Sequence, residues 1–287
     1  MSEEIARIEE KARSLKVEIY KNLNPWQKVQ IARHPKRPTF LEYIELIFLG
    51  FIELHGDRLY RDDPALVGGL AYLEDTPVTI LGHQKGRDTK ENIYRNFGMP
   101  HPEGYRKAIR LMKQAEKFGR PIITFVDVAG AYPGKEAEER GQGEAVAKAI
   151  MEMSGLKVPI IVVITGEGGS GGALAVGIGD RILMLENAYY SVISPEGCAS
   201  ILWKDASRAA EAAEVLRITA EDLLAVEVID EIIPEPLGGA HTAPEEMAAE
   251  IKAHLLKNLN AIINSDPNEL LTKRYQKFRR LGRYVEE

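Results

Sequence analysis

The segment IIVVITGEGGSGGALAVGIG, from Ile160 to Gly179, constrains the fold of this chain more than any other. Its first residues are apolar and β-branched, as in a buried strand, and a five-residue turn with four glycines, 168–172, leads into a short helix of small residues. Glycine lets a backbone approach a ligand closely, and the first N–H groups of a helix have no partner within it. The pattern predicts a turn that presents bare N–H groups to an anion, or to an oxygen that becomes anionic.

One hypothesis for these glycines is a dinucleotide-binding fingerprint. Gly166, Gly168 and Gly171 match G-x-G-x-x-G after a strand, and Glu186 follows 20 residues after the first of them. The next helix is short, however, and the first half of the chain precedes a motif that normally opens its domain. The spacing alone leaves this hypothesis open without favouring it.

A second hypothesis is a serine hydrolase with Ser170 as the nucleophile. Gly168, Ser170 and Gly172 match the G-x-S-x-G nucleophile elbow between a strand and a helix. The residues that could complete a triad follow in hydrolase order: Asp205 or Asp230, then His241. The histidine lies in a segment typical of a loop before a helix, and no oxyanion element of the hydrolase type stands out before the motif.

A third hypothesis needs no nucleophile. Here the N–H groups of Gly171 and Gly172 donate hydrogen bonds to a thioester or urea oxygen as negative charge develops on it, and Ser170 is merely small. Close packing of a helix on a strand would by itself account for one or two of the glycines. Four glycines in five residues exceed that expectation.

A second glycine-containing segment has the same layout. In PIITFVDVAGAYPG an apolar run at 122–128 is followed by a turn and then a helix. Pro133 and Gly134 fit the central positions of a type II turn, which leaves Gly130 and Ala131 at the end of the strand unexplained. Two such units in succession predict neighbouring strands whose loops meet at one edge of a sheet, where open α/β folds bind their ligands.

The pattern along the chain indicates an α/β body with helical segments at both ends. Near the N-terminus, apolar residues spaced by three or four define one helix face: Ile5, Ile8, Ala12, Leu15 and Ile19. The sequence also predicts a helix from Phe40 to Phe51 and one that begins at Thr242, whose spacing to Glu245 fits a capping box. Between them, helices at 104–118 and 143–154 alternate with strands at 66–73, 77–84, 121–128, 158–165 and 181–186.

Three motifs carry a resemblance to a known family: FVDVAGAYPG, VITGEGGSGGALAVGIGD and SVISPEGCASILW. They resemble the carboxyltransferase branch of the crotonase superfamily, and specifically the alpha subunits of bacterial and plastid acetyl-CoA carboxylase. The similarity extends to ARHPKRPTFLEYI, HGDR and GRDTKENIYRNFGMPHPEGYRKA, so it covers nearly the whole chain from about residue 20.

This resemblance implies an α/β crotonase-like (ClpP/crotonase) fold, a spiral of ββα units. We expect residues 1–35 to form an N-terminal helical extension, and residues 36–287 to form the carboxyltransferase domain with a C-terminal helical tail. The implied reaction transfers a carboxyl group from carboxybiotin, held on the biotin carboxyl carrier protein, to acetyl-CoA. The product is malonyl-CoA, and the step is the first committed step of fatty acid synthesis.

The resemblance also implies partners. An alpha chain of this family supplies one half of an active site that a beta subunit completes, and an α2β2 assembly is expected. A separate biotin carboxylase component uses the ATP. The structural zinc of the bacterial enzyme belongs to the beta subunit, so no metal is expected here. The single cysteine, Cys198, and six histidines without a metal-binding spacing agree with that expectation.

In such enzymes two oxyanion holes stabilise the enolate of the acetyl thioester and the ureido oxygen of biotin. By motif position, Gly171 and Gly172 would form one hole here, with Gly130 and Ala131 beside it. The residues around them are expected to bind the substrates: Gly168, Gly169, Ser170, Tyr132 and Gly134. The released biotin nitrogen is the expected acceptor of the methyl proton, which fits two loops that carry no histidine and no paired carboxylate.

Composition is consistent with a cytoplasmic enzyme. The chain has 287 residues, of which 45% are hydrophobic, so it can bury a sizeable core. Its apolar runs are too short to span a bilayer, and its first residues lack a secretory apolar core. The net charge of −6 argues against general nucleic-acid binding.

Two polar segments have no assigned role. A basic cluster near the C-terminus predicts a solvated helix face or a contact with phosphates or an acidic partner: Lys273, Arg274, Lys277, Arg279, Arg280 and Arg283. The charged loop 86–103 is either a salt-bridged surface loop or a lid or partner contact.

Overall fold

One mixed β-sheet forms the centre of the chain, and a computed structural model describes it with its surrounding helices over residues 2–282. The strands in this range are β1 (Leu49–Glu53), β2 (Leu66–Leu73), β3 (Thr76–His83), β4 (Ile122–Val128), β5 (Ile160–Gly169), β6 (Arg181–Leu185), β7 (Tyr189–Ser191) and β8 (Glu231–Ile233). Their spatial order is β1-β2-β3-β4-β5-β6-β8, and β7 pairs with the end of β5. The first three strands are antiparallel, and β3, β4, β5, β6 and β8 are parallel.

Helices connect the parallel strands and flank the sheet. Over the described residues they are α1 (Ser2–Lys21), α2 (Pro25–Ala32), α3 (Phe40–Ile47), α4 (Thr89–Tyr94), α5 (Pro102–Lys117), α6 (Lys135–Glu139), α7 (Gln142–Ser154), α8 (Ser170–Leu174), α9 (Pro195–Trp203), α10 (Ala209–Leu216), α11 (Ala220–Ala225), α12 (Pro244–Ile262) and α13 (Pro267–Arg279). Every residue of β5 is buried. Since alternate residues of a strand face opposite sides, both faces of the sheet are covered at its centre.

The central elements agree with the sequence predictions. Strands β2 to β6 and helices α5 and α7 lie within a few residues of the predicted ranges. The first two predicted strands form an antiparallel hairpin, with Leu73 paired to Thr76 beside the turn. The α/β class and the βαβ alternation are therefore confirmed.

Three predictions away from the two glycine segments were wrong. The helix expected to reach Phe51 ends at Ile47, because residues 49–53 pair with β2 as the edge strand of the sheet. The segment 86–103, predicted as a loop, contains α4 and a 3-10 turn at 96–98. Thr242 does not cap a helix, since its hydroxyl donates 2.8 Å to the Gly239 carbonyl and α12 begins at Pro244.

The two ends of the chain differ in how they contact the sheet. Residues 4–19 of α1 are exposed. In α13, by contrast, Arg274 is buried and donates to Asp180 at 2.8 Å and to the backbone carbonyl of Leu156 at 2.7 Å. Part of the basic cluster therefore anchors the tail to the sheet. Arg283 lies outside the described residues, and the division of the chain at residue 35 stays a prediction.

Candidate functional site

The two glycine segments meet at one edge of the sheet, as predicted. Strands β4 and β5 are parallel neighbours, and Val128 at the end of one pairs with Gly168 in the other. Their following segments therefore leave the sheet at the same carboxyl edge, where α/β folds bind ligands. The register shifts between Val126 and Val128, which places the loop after β4 beside the glycine run.

The predicted five-residue turn at 168–172 is wrong. Gly168 and Gly169 belong to β5, and the strand passes directly into α8 at Ser170. Partners on both sides explain the longer strand, because β4 lies on one side and Tyr189 to Ser191 of β7 pair with residues 167–169 on the other. The glycine fingerprint therefore lies mostly in a strand followed by a five-residue helix, and it does not form a dinucleotide-binding loop.

Close packing explains more of the glycines than the expected one or two. A Cβ atom on Gly172 would lie 2.5 Å from both the Gly130 carbonyl carbon and the Ala131 nitrogen. A Cβ atom on Gly169 would overlap the Ala129 carbonyl oxygen, and one on Gly168 would lie 2.8 Å from the Tyr190 ring. These glycines allow neighbouring backbones to touch.

Two glycines are not required by packing. A Cβ atom on Gly171 would meet only the Val146 Cγ1 atom, at 3.2 Å, and one on Gly130 would meet no atom within 4 Å. Both residues are half-buried. Space for a ligand therefore remains beside these two glycines, on neighbouring strand ends.

Backbone donors are available on both segments. The N–H groups of Gly171 and Gly172 belong to the first turn of α8, where helix geometry leaves N–H groups without a partner inside the helix. Across residues 2–282, no backbone hydrogen bond uses the N–H group of Gly130 or Ala131. The arrangement can stabilise negative charge on a ligand oxygen.

The serine-hydrolase hypothesis lacks the partner residues that it requires. Ser170 is exposed with φ of 53°, as on a nucleophile elbow, but in the described part of the chain no base is hydrogen-bonded to its hydroxyl. The other members of the supposed triad are engaged elsewhere. Asp230 accepts from Lys277, Asp205 accepts from Ser207, and the His241 ring stacks on His34 with centroids 3.7 Å apart.

The 130–134 segment is held from the N-terminal end of α5. The Tyr132 N–H group donates to the Pro100 carbonyl at 3.0 Å, and the Gln142 side chain donates to the carbonyls of Pro100 and Tyr132 at 2.8 and 3.0 Å. The predicted type II turn is wrong, because Gly134 has φ of −74° where that turn requires a positive value. Gly134 faces the Tyr132 ring instead, which leaves no room for a Cβ atom.

A partly buried ion cluster joins the ends of three strands beneath these segments. Lys85 Nζ lies 2.7 Å from Asp127 Oδ1 and 2.8 Å from Glu167 Oε1. The other oxygen of Glu167 accepts from Arg33 Nε and the Tyr189 hydroxyl, each at 2.7 Å. Glu167 immediately precedes Gly168, so the cluster fixes the backbone that leads into α8.

The charges in this cluster stabilise one another. Burial alone would raise the pKa of Glu167, but the charges of Lys85 and Arg33 and the hydrogen bonds to it outweigh burial and lower its pKa to about 2. Burial alone would lower the pKa of Lys85, whereas Asp127 and Glu167 raise it. The sequence patterns did not predict this cluster. Its signal was the presence of Asp127 and Glu167 inside otherwise apolar strands.

Two cavities flank the paired segments. A cavity of about 330 Å³ whose lining includes charged side chains lies beside Ala129, Asp127 and Lys85. An apolar groove of about 410 Å³ begins at Ser170 and Gly171 on the other side and continues past Leu174, Tyr190 and Val192. The strand ends therefore separate a charged surface from an apolar one.

The family model of the acetyl co-enzyme A carboxylase carboxyltransferase-like proteins matches residues 1–282. The chain belongs to this family. Its alpha-subunit relatives include one from Geobacillus kaustophilus, 61% identical over 282 residues, which cover 98% of this chain and 87% of the relative. One from Staphylococcus epidermidis is 59% identical over 286 residues, which cover 100% and 91%. The predicted family and its transferase activity are confirmed, and the hydrolase alternative is not.

Solved structures agree on the fold. Transcarboxylase 12S superimposes with a TM-score of 0.62 at 21% identity, over 78% of this chain and 42% of that chain. The coenzyme A complex of a Pseudomonas malonate decarboxylase hetero-tetramer gives a TM-score of 0.62 at 19% identity, over 76% and 87%. This chain thus spans less than half of the transcarboxylase chain. The crotonase-like fold predicted from the acetyl-CoA carboxylase resemblance is confirmed.

Neither a metal cluster nor a membrane span is found in the described residues. No group of three or more histidine, cysteine, aspartate or glutamate side chains there could hold a metal ion. Across the same range, no helix is long and apolar enough to cross a membrane.

Proposed function

We propose that this chain supplies one half of an active site that transfers a carboxyl group from carboxybiotin to acetyl-CoA, and that a beta subunit supplies the other half. The observation that carries the proposal is the contact between Gly172 and the Gly130–Ala131 backbone, with free N–H groups on both sides. Membership of the carboxyltransferase family over residues 1–282 supports the same chemistry.

The reaction demands stabilisation of charge more than a strong protein base. The carboxyl group leaves the biotin ureido nitrogen, and negative charge appears on the ureido oxygen. That nitrogen then takes a proton from the acetyl methyl group, the thioester oxygen becomes anionic, and the methyl carbon bonds to the carboxyl carbon. Backbone N–H groups aimed at either oxygen lower the barrier without changing their own protonation.

Each predicted site residue has a role in the proposed reaction. Gly171 and Gly172 donate to one oxyanion, and Gly130 and Ala131 lie beside them. Ser170, Tyr132 and Gly134 form the rim that the substrates pass. Gly168 and Gly169 are buried, and they support substrate binding by letting β5 lie against Tyr190 and Ala129.

The remaining components are also proposed from the family. We expect an α2β2 assembly in the cytoplasm that receives carboxybiotin on the biotin carboxyl carrier protein, with ATP used by a separate biotin carboxylase. The proposed reaction uses no metal bound to this chain and no nucleic acid.

The test is a mixing experiment. We expect the purified chain to be nearly inactive alone, and addition of a beta subunit from a related bacterium to produce malonyl-CoA-dependent carboxylation of free biotin. Full activity without the beta subunit would contradict the half-site proposal. Binding of the two subunits without any carboxyl transfer would contradict the proposed reaction.

A further inference from the structure

Helix α1 lies outside the core and has no cover along most of its length. Residues 4–19 are exposed, and the large side chains of the predicted apolar face are about half or more exposed: Ile5 51%, Ile8 64%, Leu15 48% and Ile19 59%. Only near its end does it approach the body, where Tyr20 is half-buried and Lys16 Nζ lies beside Gly238. Most of the stability of a helix in a protein comes from packing of its amphipathic face, so this apolar face needs a partner.

The apolar residues of α1 follow a heptad pattern. Ile5, Ile8, Ala12, Leu15 and Ile19 are separated alternately by three and four residues, which places them at the a and d positions of a coiled-coil seam. The flanking e positions hold Glu9 and Lys16, and the flanking g positions hold Glu4, Lys11 and Glu18. These flanking charges determine which partner and which orientation the seam accepts.

A parallel pair of two α1 helices would place like charges together. In that geometry each g residue faces the e residue five positions later on the other helix. Glu4 would face Glu9 of the second copy, and Lys11 would face Lys16 of the second copy. The flanking charges therefore oppose a parallel pair.

One antiparallel register satisfies both the seam and the charges. Ile8 then packs against Ile19 of the second copy, and Ala12 packs against Leu15 of the second copy, which by symmetry gives four apolar layers. In an antiparallel pair, e positions face e positions and g positions face g positions. At the e positions, Glu9 faces Lys16 of the second copy, and at the g positions, Lys11 faces Glu18 of the second copy. Both contacts join opposite charges.

The two neighbouring antiparallel registers bring like charges together. A shift of one heptad towards the N-terminus places Glu9 opposite Glu9 of the second copy and Lys11 opposite Lys11 of the second copy. A shift in the other direction places Lys16 opposite Lys16 and Glu18 opposite Glu18, and it also loses half of the apolar layers. A single register is thus selected.

We propose that α1 joins two copies of this chain as a short antiparallel coiled coil, with its two-fold axis between Arg13 and Ser14. Four apolar layers bury less surface than a stable protein interface needs, and exposed ion pairs add little affinity. The pairing is therefore weak by itself, and the charges fix its partner and direction. This inference does not rest on the proposed carboxyl transfer.

The test uses the full chain without any beta subunit, in sedimentation velocity from about 1 to about 300 μM, where short interfaces associate. We expect a reversible monomer–dimer equilibrium. Glu9→Lys reverses two symmetry-related pairs and should weaken dimerisation about tenfold, as should Lys16→Glu. The double variant restores opposite charges and should dimerise like the wild type.

Matched controls carry the same charge changes on the outer face of α1. Glu10→Lys at position f and Arg13→Glu at position b should leave dimerisation unchanged, and circular dichroism should show equal helix content in all variants. A chain that stays monomeric throughout would overturn the proposal. Tighter association of Glu9→Lys would indicate a parallel pair, and equal effects of Glu9→Lys and Glu10→Lys would assign the association to another face, so each of these results also overturns it.

Discussion

Gly172 lies directly on the backbone of Gly130, so that a Cβ atom at position 172 would lie 2.5 Å from the Gly130 carbonyl carbon. The two segments proposed to stabilise oxyanions therefore form one contiguous surface. Their relative position depends on a backbone contact that no side chain can adjust. Substitutions at the neighbouring glycines should accordingly have different consequences.

Gly172→Ala should separate the two segments. Because the added methyl group would meet backbone atoms on the other side, we expect a loss of about 1–3 kcal/mol in the free energy of unfolding. Activity with the beta subunit should fall about 100-fold or more, since N–H groups would leave their positions. Urea unfolding and the biotin carboxylation assay measure the two effects. The control is Gly171→Ala, whose methyl group meets only the end of Val146, and equal stability of the two variants would contradict the contact.

Lys85→Met should destabilise the fold by removing the cation that Asp127 and Glu167 share. Glu167 keeps Arg33 as a partner, whereas Asp127, whose side chain is 15% exposed, loses its cation, and breaking such an ion pair costs about 3 kcal/mol. Urea unfolding at neutral pH measures this loss. Lys113→Met is the matched control, because Lys113 pairs with Glu152 at 2.7 Å while 52% exposed, and it should cost less than about 1 kcal/mol. Similar losses in the two variants would show that the cluster is not stabilising.

Stability should decrease in mild acid because of His83. Burial, with the positive charge of Lys85, lowers the pKa of this histidine from 6.5 to about 3. The unfolded chain then binds a proton that the folded chain excludes, so the free energy of unfolding falls as pH drops below about 6.5. Between pH 7 and 5 this contribution is about 2 kcal/mol.

The contribution of His83 is measured as the difference in unfolding free energy between the wild type and a variant without this histidine. Burial raises the pKa of Asp63 to about 6, which gives the opposite dependence in part of this range, so the wild-type curve alone mixes the two groups. His83→Gln removes only the histidine. The difference in unfolding free energy between wild type and this variant should shrink as the pH falls from 7 to 5. A constant difference would mean that His83 titrates normally.

The helices and strands that could be predicted are those whose own residues carry a clear hydrophobic periodicity. Strands such as 122–128 and the helix at 104–118 carry their own periodicity, and the paired glycine segments follow from two similar strand-to-helix units. The short strands β1, β7 and β8 were missed because each exists through pairing with a distant strand. Lys85 is 42 residues from Asp127 and 82 from Glu167, so no local pattern could show that they form one cluster.

The glycine run at 168–172 shows a second reason why the sequence alone does not predict the whole site. The sequence predicted its location at the sheet edge and its backbone donors, but it could not distinguish glycines that permit packing from glycines that leave room for a ligand. That distinction depends on Ala129 and Tyr190, which approach Gly169 and Gly168 only in the folded chain. Within the glycine run, Gly171 is the position where a side chain would intrude on the proposed site with the least effect on the fold.

The central claim is that backbone N–H groups at 171 and 172, with no serine nucleophile, carry the chemistry. The most direct measurement compares Ser170→Ala and Gly171→Val in the carboxylation assay with the beta subunit, with unfolding curves to show that both variants are folded. We expect Ser170→Ala to keep most of its activity, and Gly171→Val to lose about 100- to 1,000-fold while it still binds the beta subunit. An inactive but folded Ser170→Ala variant, or a fully active Gly171→Val variant, would contradict the account.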